Sequence, residues 1–212
     1  MFFKLDHPLA FPNPALADED GLLAVGGDLS SERLIVAYHN GMFPWYSEGE
    51  PILWYSPHER FVILPEEIHV SHSMKQLMQS DKYKVTWDKD FTGVISHCAR
   101  VKRKGQRGTW ITGDMKEAYI ALHKKGIAHS VEVWNEDKLV GGLYGVESGK
   151  VFCGESMFSL MPNASKLALI YLCQTIKYTL IDCQLHTPHL ESMGGKYVSR
   201  KEYIKYLHTS KI

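Results

Sequence analysis

Two stretches of this 212-residue chain set a carboxylate inside an apolar run: Val151-Phe152-Cys153-Gly154-Glu155-Ser156-Met157-Phe158 and Ile181-Asp182-Cys183-Gln184. Each reads as a buried strand. An unpaired carboxylate costs several kcal/mol to bury, or its pKa moves. Two of them on neighbouring core strands point to an acid/base or cation-binding site. Asp182 and Gln184 are two apart, so on one strand their side chains face the same side. The plainer reading of that pair is a polar strand face bonded to neighbouring backbone. The plainer reading of Glu155 is a buried ion pair.

The elements that must hold these groups fall into two parts. Residues 1–62 are rich in Pro, Gly and aromatics, with one helix capped by Ser30 or Ser31, carrying Leu34, Ile35, Tyr38 and His39, and stopped by Gly41. From about residue 66 the elements lengthen. Ser71–Ser80 reads as a short helix, Tyr83–Trp87 as a strand and Phe91–Ala99 as a helix. Asp114–Lys125 is amphipathic, with Met115, Ala118, Tyr119 and Leu122 on one stripe and Gly126 as its stop. His129–Trp134, Lys138–Val146 and Lys150–Phe158 form an antiparallel meander joined by turn residues. Asn163 caps a helix to about Lys177, Leu180–Leu185 is a strand, and Ser199 with Glu202 opens a last helix. Helix, meander, helix, strand, helix suits a mixed sheet covered by helices.

Composition bounds the chemistry. The chain is 44% hydrophobic and 11% aromatic, enough for a full core. Its 24 basic and 24 acidic residues cancel, so a nucleic acid would have to be met by a local patch. Cys98, Cys153, Cys173 and Cys183 have no CxxC spacing. That pattern argues against a zinc site or disulfide framework and fits a reducing compartment. No signal-peptide pattern opens the sequence, and no apolar run approaches the ~20 residues of a membrane span. The expectation is a soluble, cytoplasmic protein with no metal and no cofactor.

From residue 66 onward the order of elements resembles an acyltransferase of the GNAT fold. That fold seats acyl-CoA pyrophosphate on a glycine-rich loop opening the helix after the meander. Here the loop is Ser159–Lys166, which has no glycine, and Pro162 removes an amide donor. More specific motifs occur in order: GLLAVGGDLS (21–30), YxxGMFPW (38–45), PILWYSP (51–57), GTWIT (108–112), HSVEVW (129–134), GGLYGV (141–146), FCGESMFS (152–159), NASK (163–166) and IDCQ (181–184). Together they resemble the leucyl/phenylalanyl-tRNA–protein transferase family over roughly residues 11–207. The resemblance implies an α+β protein. A small N-terminal α/β domain (1–62) would help to bind the tRNA 3′ adenosine. A GNAT-like catalytic domain (63–212), with a mixed, largely antiparallel sheet flanked by helices, would follow it.

The implied activity moves Leu or Phe, and possibly Met, from aminoacyl-tRNA to the α-amine of proteins beginning with Lys or Arg, creating an N-end-rule degradation signal. Ester aminolysis is downhill and needs no ATP or metal. Its barrier lies in deprotonating the amine and stabilising an oxyanion. With an α-amine pKa of ~7.7–8.0, only a minority of amines are nucleophilic near pH 7. The resemblance gives Asp182 and Gln184 the catalytic role, with Gln184 accepting from the amine and Asp182 orienting or polarising it. Glu155 would hold the acceptor's cationic side chain, or hydrogen-bond its amine or the ribose. Leu143, Phe152, Met157, Leu172 and Ile181 would wall the amino-acid pocket, and Leu172 could equally be ordinary core. Leu143 and Leu172 stand where the family more often has Met and Phe. Trp45 and Trp110 would flank the terminal adenosine, while Trp54 is assigned to packing. For the tRNA backbone the candidates are Lys75 and the loop residues Arg100, Lys102, Arg103, Lys104 and Arg107. The partners are aminoacyl-tRNA and the acceptor protein, with no membrane, and the default state is a monomer. The alternatives are a CoA-dependent N-acetyltransferase on the same fold and a non-catalytic RNA-binding module.

Overall fold

The computed structural model describes residues 2–5, 9–101 and 109–208. Its frame is two sheets. The smaller contains β1 (Phe3–Leu5), β2 (Leu22–Gly26), β3 (Phe43–Pro44) and β4 (Leu53–Tyr55), in the order β1-β2-β4-β3. Helix α1 (Ser31–His39) lies between β2 and β3 in the chain. Ser30 Oγ accepts from the Arg33 amide at 3.3 Å, which satisfies one of the helix's free N–H groups. Gly41 ends this segment at φ +75°, where a Cβ would also press to 3.2 Å from the Tyr203 ring.

The larger sheet contains β5 (Glu59–Ile63), β6 (Lys84–Trp87), β7 (Ala128–Asn135), β8 (Lys138–Ser148), β9 (Val151–Ser159), β10 (Leu180–Asp182) and β11 (Lys196–Ser199). The order is β11-β5-β10-β9-β8-β7-β6, and every pairing is antiparallel except that of β9 with β10. Residue 62 lies within β5, so the chain joins the larger sheet just before that point. The remaining helices are α2 (His72–Met78), α3 (Phe91–Arg100), α4 (Gly113–Lys124), α5 (Ala164–Thr175), α6 (Pro188–Glu191) and α7 (Arg200–His208). This is the α+β architecture, with a mixed and largely antiparallel sheet flanked by helices, that the element order implied.

Each face of the larger sheet buries its own cluster. On one face α5 packs Leu167, Leu169 and Leu172 against Val131, Val133, Leu143, Phe152 and Ile181. On the other, Val94, Tyr119, Tyr144 and Cys153 share a core with Leu34, Tyr38 and Trp54 of the first segment and with Tyr203 of α7. Burial of each large aliphatic side chain contributes about 1.5–3 kcal/mol, so these clusters fix how the helices sit. None of the described helices is long and apolar enough to cross a membrane.

The sequence expectations differ from the structure at three places near the site. The strand expected over Leu180–Leu185 stops at Asp182. Asn163 precedes α5 as expected, but it adopts φ +67° and its side chain makes no capping bond; Ser159 Oγ instead accepts from the Ser165 amide at 3.3 Å. Strand β11 and helix α6 were not anticipated, because their turns offer little periodicity over so few residues.

Candidate active site

The site is a parting between two strands. β9 and β10 pair only from Leu180 with Val151 to Asp182 with Cys153. Beyond Asp182 the chain stays on β5: the Cys183 amide donates to the Phe61 carbonyl at 2.8 Å, and the Phe61 amide to the Gln184 carbonyl at 3.3 Å. Gln184 then adopts φ +62°, a left-handed conformation that favours glycine and turns the chain away from β9. The strands part around a hollow of about 420 Å³.

Opposite this parting, β9 carries a bulge. Tyr144 pairs with Ser156 and Gly145 with Gly154, which leaves Glu155 as the extra residue. A bulge bends its strand and re-aims a side chain. Glu155 reaches a polar cluster on the face that also buries Val151 and Cys153. Glu155 accepts from the Gln184 side-chain amide at 2.7 Å and from the Tyr119 hydroxyl at 3.1 Å. The Tyr38 hydroxyl closes the chain with a short bond to the Tyr119 hydroxyl. Glu155 is only 8% exposed. Burial pushes its carboxyl up to about 7, the Tyr38 and Tyr119 hydroxyls pull it back down, and the nearby Asp182 charge raises it. A carboxyl poised there is matched to proton exchange near neutral pH. With the Gln184 NH₂ given to Glu155, its carbonyl oxygen remains as a hydrogen-bond acceptor.

Asp182 contacts Gln184, as suits a group that orients it. It is fully buried and does not line the hollow. Asp182 and Gln184 both turn towards the cluster that holds Tyr119 and Tyr203, while Cys183 between them packs against the opposite cluster, so the shared side expected from their spacing is kept although the strand ends at Asp182. Arg60 bonds both carboxylate oxygens of Asp182, and the Tyr203 hydroxyl donates to it at 2.8 Å. Asp182 Oδ1 also accepts from the Gln184 main-chain amide at 2.8 Å. Arg60 sits between the rings of Phe43 and Tyr203, 4.8 and 4.5 Å from their centroids, and donates to the Gly41 carbonyl at 3.1 Å. Burial opposes the Arg60 charge, but Asp182 more than restores it, so its pKa is raised. The buried ion pair thus anchors the turn that presents Gln184.

The hollow gathers most of the other candidates. Leu143, Phe152, Met157, Leu172 and Ile181 all line it, as do Glu155, Gln184, Trp45 and Trp110. Leu143 and Met157 are direct neighbours across β8 and β9. Trp45 is 39% exposed and stands edge-on to Tyr55, with ring centroids 5.8 Å apart. Trp54, assigned to packing, is fully buried and donates its indole N–H to the Gly26 carbonyl at 2.9 Å.

The described tRNA candidates, Lys75 and Arg100, do not line the hollow. Lys75 is exposed on α2, in a shallow depression with Glu66 and Glu67 that shares no residue with the hollow. Arg100 is exposed at the end of α3, while Lys102, Arg103, Lys104 and Arg107 lie outside the described residues. Sequence reasoning missed Arg60, Tyr203 and His189. A charge opening the apolar run Arg60–Leu64 was the available signal for Arg60. His189 lines the hollow, and its buried Nε2 has no hydrogen-bond partner among the described residues. Burial and Lys166 lower its pKa.

Known proteins resemble this chain over nearly its whole length. The family model described as leucyl/phenylalanyl-tRNA protein transferase matches residues 62–208, and the model of that family's N-terminal domain matches residues 27–58. Leucyl/phenylalanyl-tRNA–protein transferase from Flavobacterium psychrophilum is 52% identical over 96% of this chain and 98% of its own. The protein of that name from Flavobacterium johnsoniae is 52% identical over 97% and 98%. The Pseudomonas fluorescens protein is 53% identical over 95% and 91%. This chain belongs to the leucyl/phenylalanyl-tRNA protein transferase family.

Proposed function

We propose that this chain transfers Leu or Phe from aminoacyl-tRNA to the α-amine of a polypeptide beginning with Lys or Arg, acting as a monomer in the cytoplasm. The observation that carries the reading is one hollow with two characters. Its inner end is walled by Leu143, Phe152, Leu172 and Ile181, and its edge holds the Glu155–Gln184 pair. The apolar end suits an unbranched-Cβ side chain such as Leu or Phe. Trp45 and Trp110 line the same hollow, where a stacked adenine would gain about 1–3 kcal/mol.

In the reaction the amine nitrogen attacks the ester carbonyl carbon. A C–N bond forms, the bond from that carbon to the ribose oxygen breaks, and the amine proton ends on the departing ribose oxygen. The Gln184 carbonyl oxygen accepts from the amine and directs its lone pair. Glu155, with its carboxyl near 7, takes the proton and returns it. An amide is too weak a base for that work, so Gln184 positions the amine. Asp182 acts through the Gln184 main chain. Its charge is matched by Arg60, so Glu155 is the acidic side chain lining the hollow that could draw a cationic acceptor.

The acetyltransferase alternative loses its pyrophosphate seat. The Ser165 amide bonds Ser159 Oγ and the Ala164 amide bonds the Met161 carbonyl. Transfer of radiolabelled Leu and Phe from charged tRNA to a peptide beginning with Arg tests the proposal. Gln184→Ala and Glu155→Gln should be run beside the wild type. Absence of transfer by the wild type, or acetyl transfer from acetyl-CoA without tRNA, would overturn it.

A further inference from the structure

The hollow meets β9 at its edge. Neighbouring residues of a strand point to opposite faces, yet Gly154, Glu155, Ser156 and Met157 all border the hollow. A cavity that touches four residues in succession lies beside the backbone instead of over one face. The opposite wall is Cys183, Gln184 and Leu185, on the chain that β5 has drawn away. β9 keeps β8 beside it to Ser159 but has β10 only to Cys153. Along Gly154–Ser159, therefore, no described strand pairs with that side of β9. Such an edge is a template for an added strand.

We propose that the acceptor polypeptide binds there as an extra strand, parallel to β9 and in line with β10. The inference rests on the transfer reading above. The donor brings a single amino acid and cannot supply a row of backbone N–H and C=O groups; the acceptor can. Its amine must reach Gln184, at the point where β10 stops, so its chain runs from the level of Gly154 towards Ser159. That is the direction of β9, and the acceptor continues the ladder that β10 abandons. Leu160, 56% exposed just past the end of β9, and Leu185, 48% exposed on the opposite wall, flank this course with apolar surface. Pairing through the main chain gives affinity without reading side chains past the first residue, which suits an enzyme that must serve unrelated proteins.

Strand pairing has a signature that loose binding lacks. Only alternate residues of a strand turn their N–H and C=O groups to a given neighbour. A set of Arg-initiated peptides, each with one N-methylated amide at residues two to five, is assayed for transfer of Leu. A parallel set carries an ester in place of the same amide. KM rises about fivefold or more at alternate positions and by less than about twofold at those between, in both sets. A KM that is unchanged at every position, or raised equally at every position, overturns the inference while leaving the transfer reading in place. Failure of the unmodified peptide to accept Leu overturns the transfer reading and this inference with it.

Discussion

Gln184 gives its side-chain amide to Glu155 at 2.7 Å, across the gap where β10 parts from β9. The bond joins a bulged residue on one strand to a left-handed residue beyond the end of the other. Two backbone irregularities therefore meet at one hydrogen bond, as expected where local strain is retained for chemistry.

Glu155 should set the pH dependence of transfer. Burial raises its carboxyl to about 7, so it is mostly protonated below neutrality and an available base above it. The rate should rise through two groups, Glu155 near 7 and the acceptor amine at ~7.7–8.0. Glu155→Gln should remove the lower step and reduce kcat by about 10²–10⁴-fold. Gln184→Ala should slow the reaction by roughly 10–100-fold and leave both steps in place. Single-turnover rates from about pH 6 to about pH 9 distinguish the two roles. Loss of neither step in Glu155→Gln would remove Glu155 as the base.

The same raised carboxyl has a consequence for stability. A folded-state pKa above the unfolded value of about 4.3 means that the native protein holds a proton the unfolded chain has released. The contribution of Glu155 to stability thus falls as pH rises from about 4.3 to about 7. Glu155→Gln should be relatively more stable, against wild type, at pH ~8 than at pH ~5. Urea unfolding at the two values measures this, and an unchanged difference would contradict it.

Arg60 and Asp182 form a buried ion pair whose loss should be asymmetric. Arg60→Leu leaves a carboxylate with 0% exposure without its cation, and should cost about 3–5 kcal/mol. Arg60→Leu with Asp182→Leu should recover part of that loss, because no charge is then stranded. Activity should not return in the double variant, since the Gln184 main chain has lost its acceptor. Denaturant melts and transfer rates on the double-mutant cycle separate the two effects.

The pocket wall came from the family resemblance and not from periodicity, and the gaps in the sequence reading have physical causes. Leu143, Phe152, Met157, Leu172 and Ile181 are apolar residues on strongly patterned elements, and all reach the hollow. The end of β10 and the turn at Gln184 were hidden because Ile-Asp-Cys-Gln has the composition of a continuing strand. Nothing in those letters marks Gln184 for φ +62°, which comes from the pull of β5 on one side. The bulge at Glu155 is likewise set by pairing with Tyr144 and Gly145, a long-range event. Arg60 and Asp182 lie 122 positions apart, so the sequence shows two buried charges without showing that they belong together.

Leu172 should help to set amino-acid preference. It lines the hollow from α5 and is fully buried. Leu172→Ala lengthens the hollow, and the ratio of kcat/KM for Phe over Leu should rise by about tenfold, the scale set by a methylene or two in an apolar pocket. The substitution should also cost roughly 2–5 kcal/mol of stability. Competition between Phe-tRNA and Leu-tRNA gives the ratio, and no change would return Leu172 to the ordinary core.

Trp45 and Trp54 should behave oppositely. Trp45 is 39% exposed on the hollow, and Trp45→Ala should weaken aminoacyl-tRNA by about 1–3 kcal/mol with little change in stability. Trp54 is fully buried and hydrogen-bonded to Gly26, so Trp54→Ala should destabilise by about 3–5 kcal/mol. KM for aminoacyl-tRNA and a thermal melt on each variant check the pair. Equal losses of stability would deny Trp45 its role on the adenine.

We propose that the basic segment with Arg100, Lys102, Arg103, Lys104 and Arg107 supplies the tRNA phosphate contacts. The chain has no net charge, so tRNA affinity must come from such a local cluster. Lys75 is a poor substitute, because Glu66 and Glu67 share its depression and offset its field. Each phosphate contact releases condensed counterions and adds about one unit to the slope of log KM against log salt. Reversing Lys102, Arg103 and Lys104 to Glu should lower that slope by about three units and raise KM at low salt, with kcat at saturation little changed. Reversing Lys75 alone should leave the slope within about half a unit of wild type. A slope that the triple reversal does not move would take these residues off the tRNA.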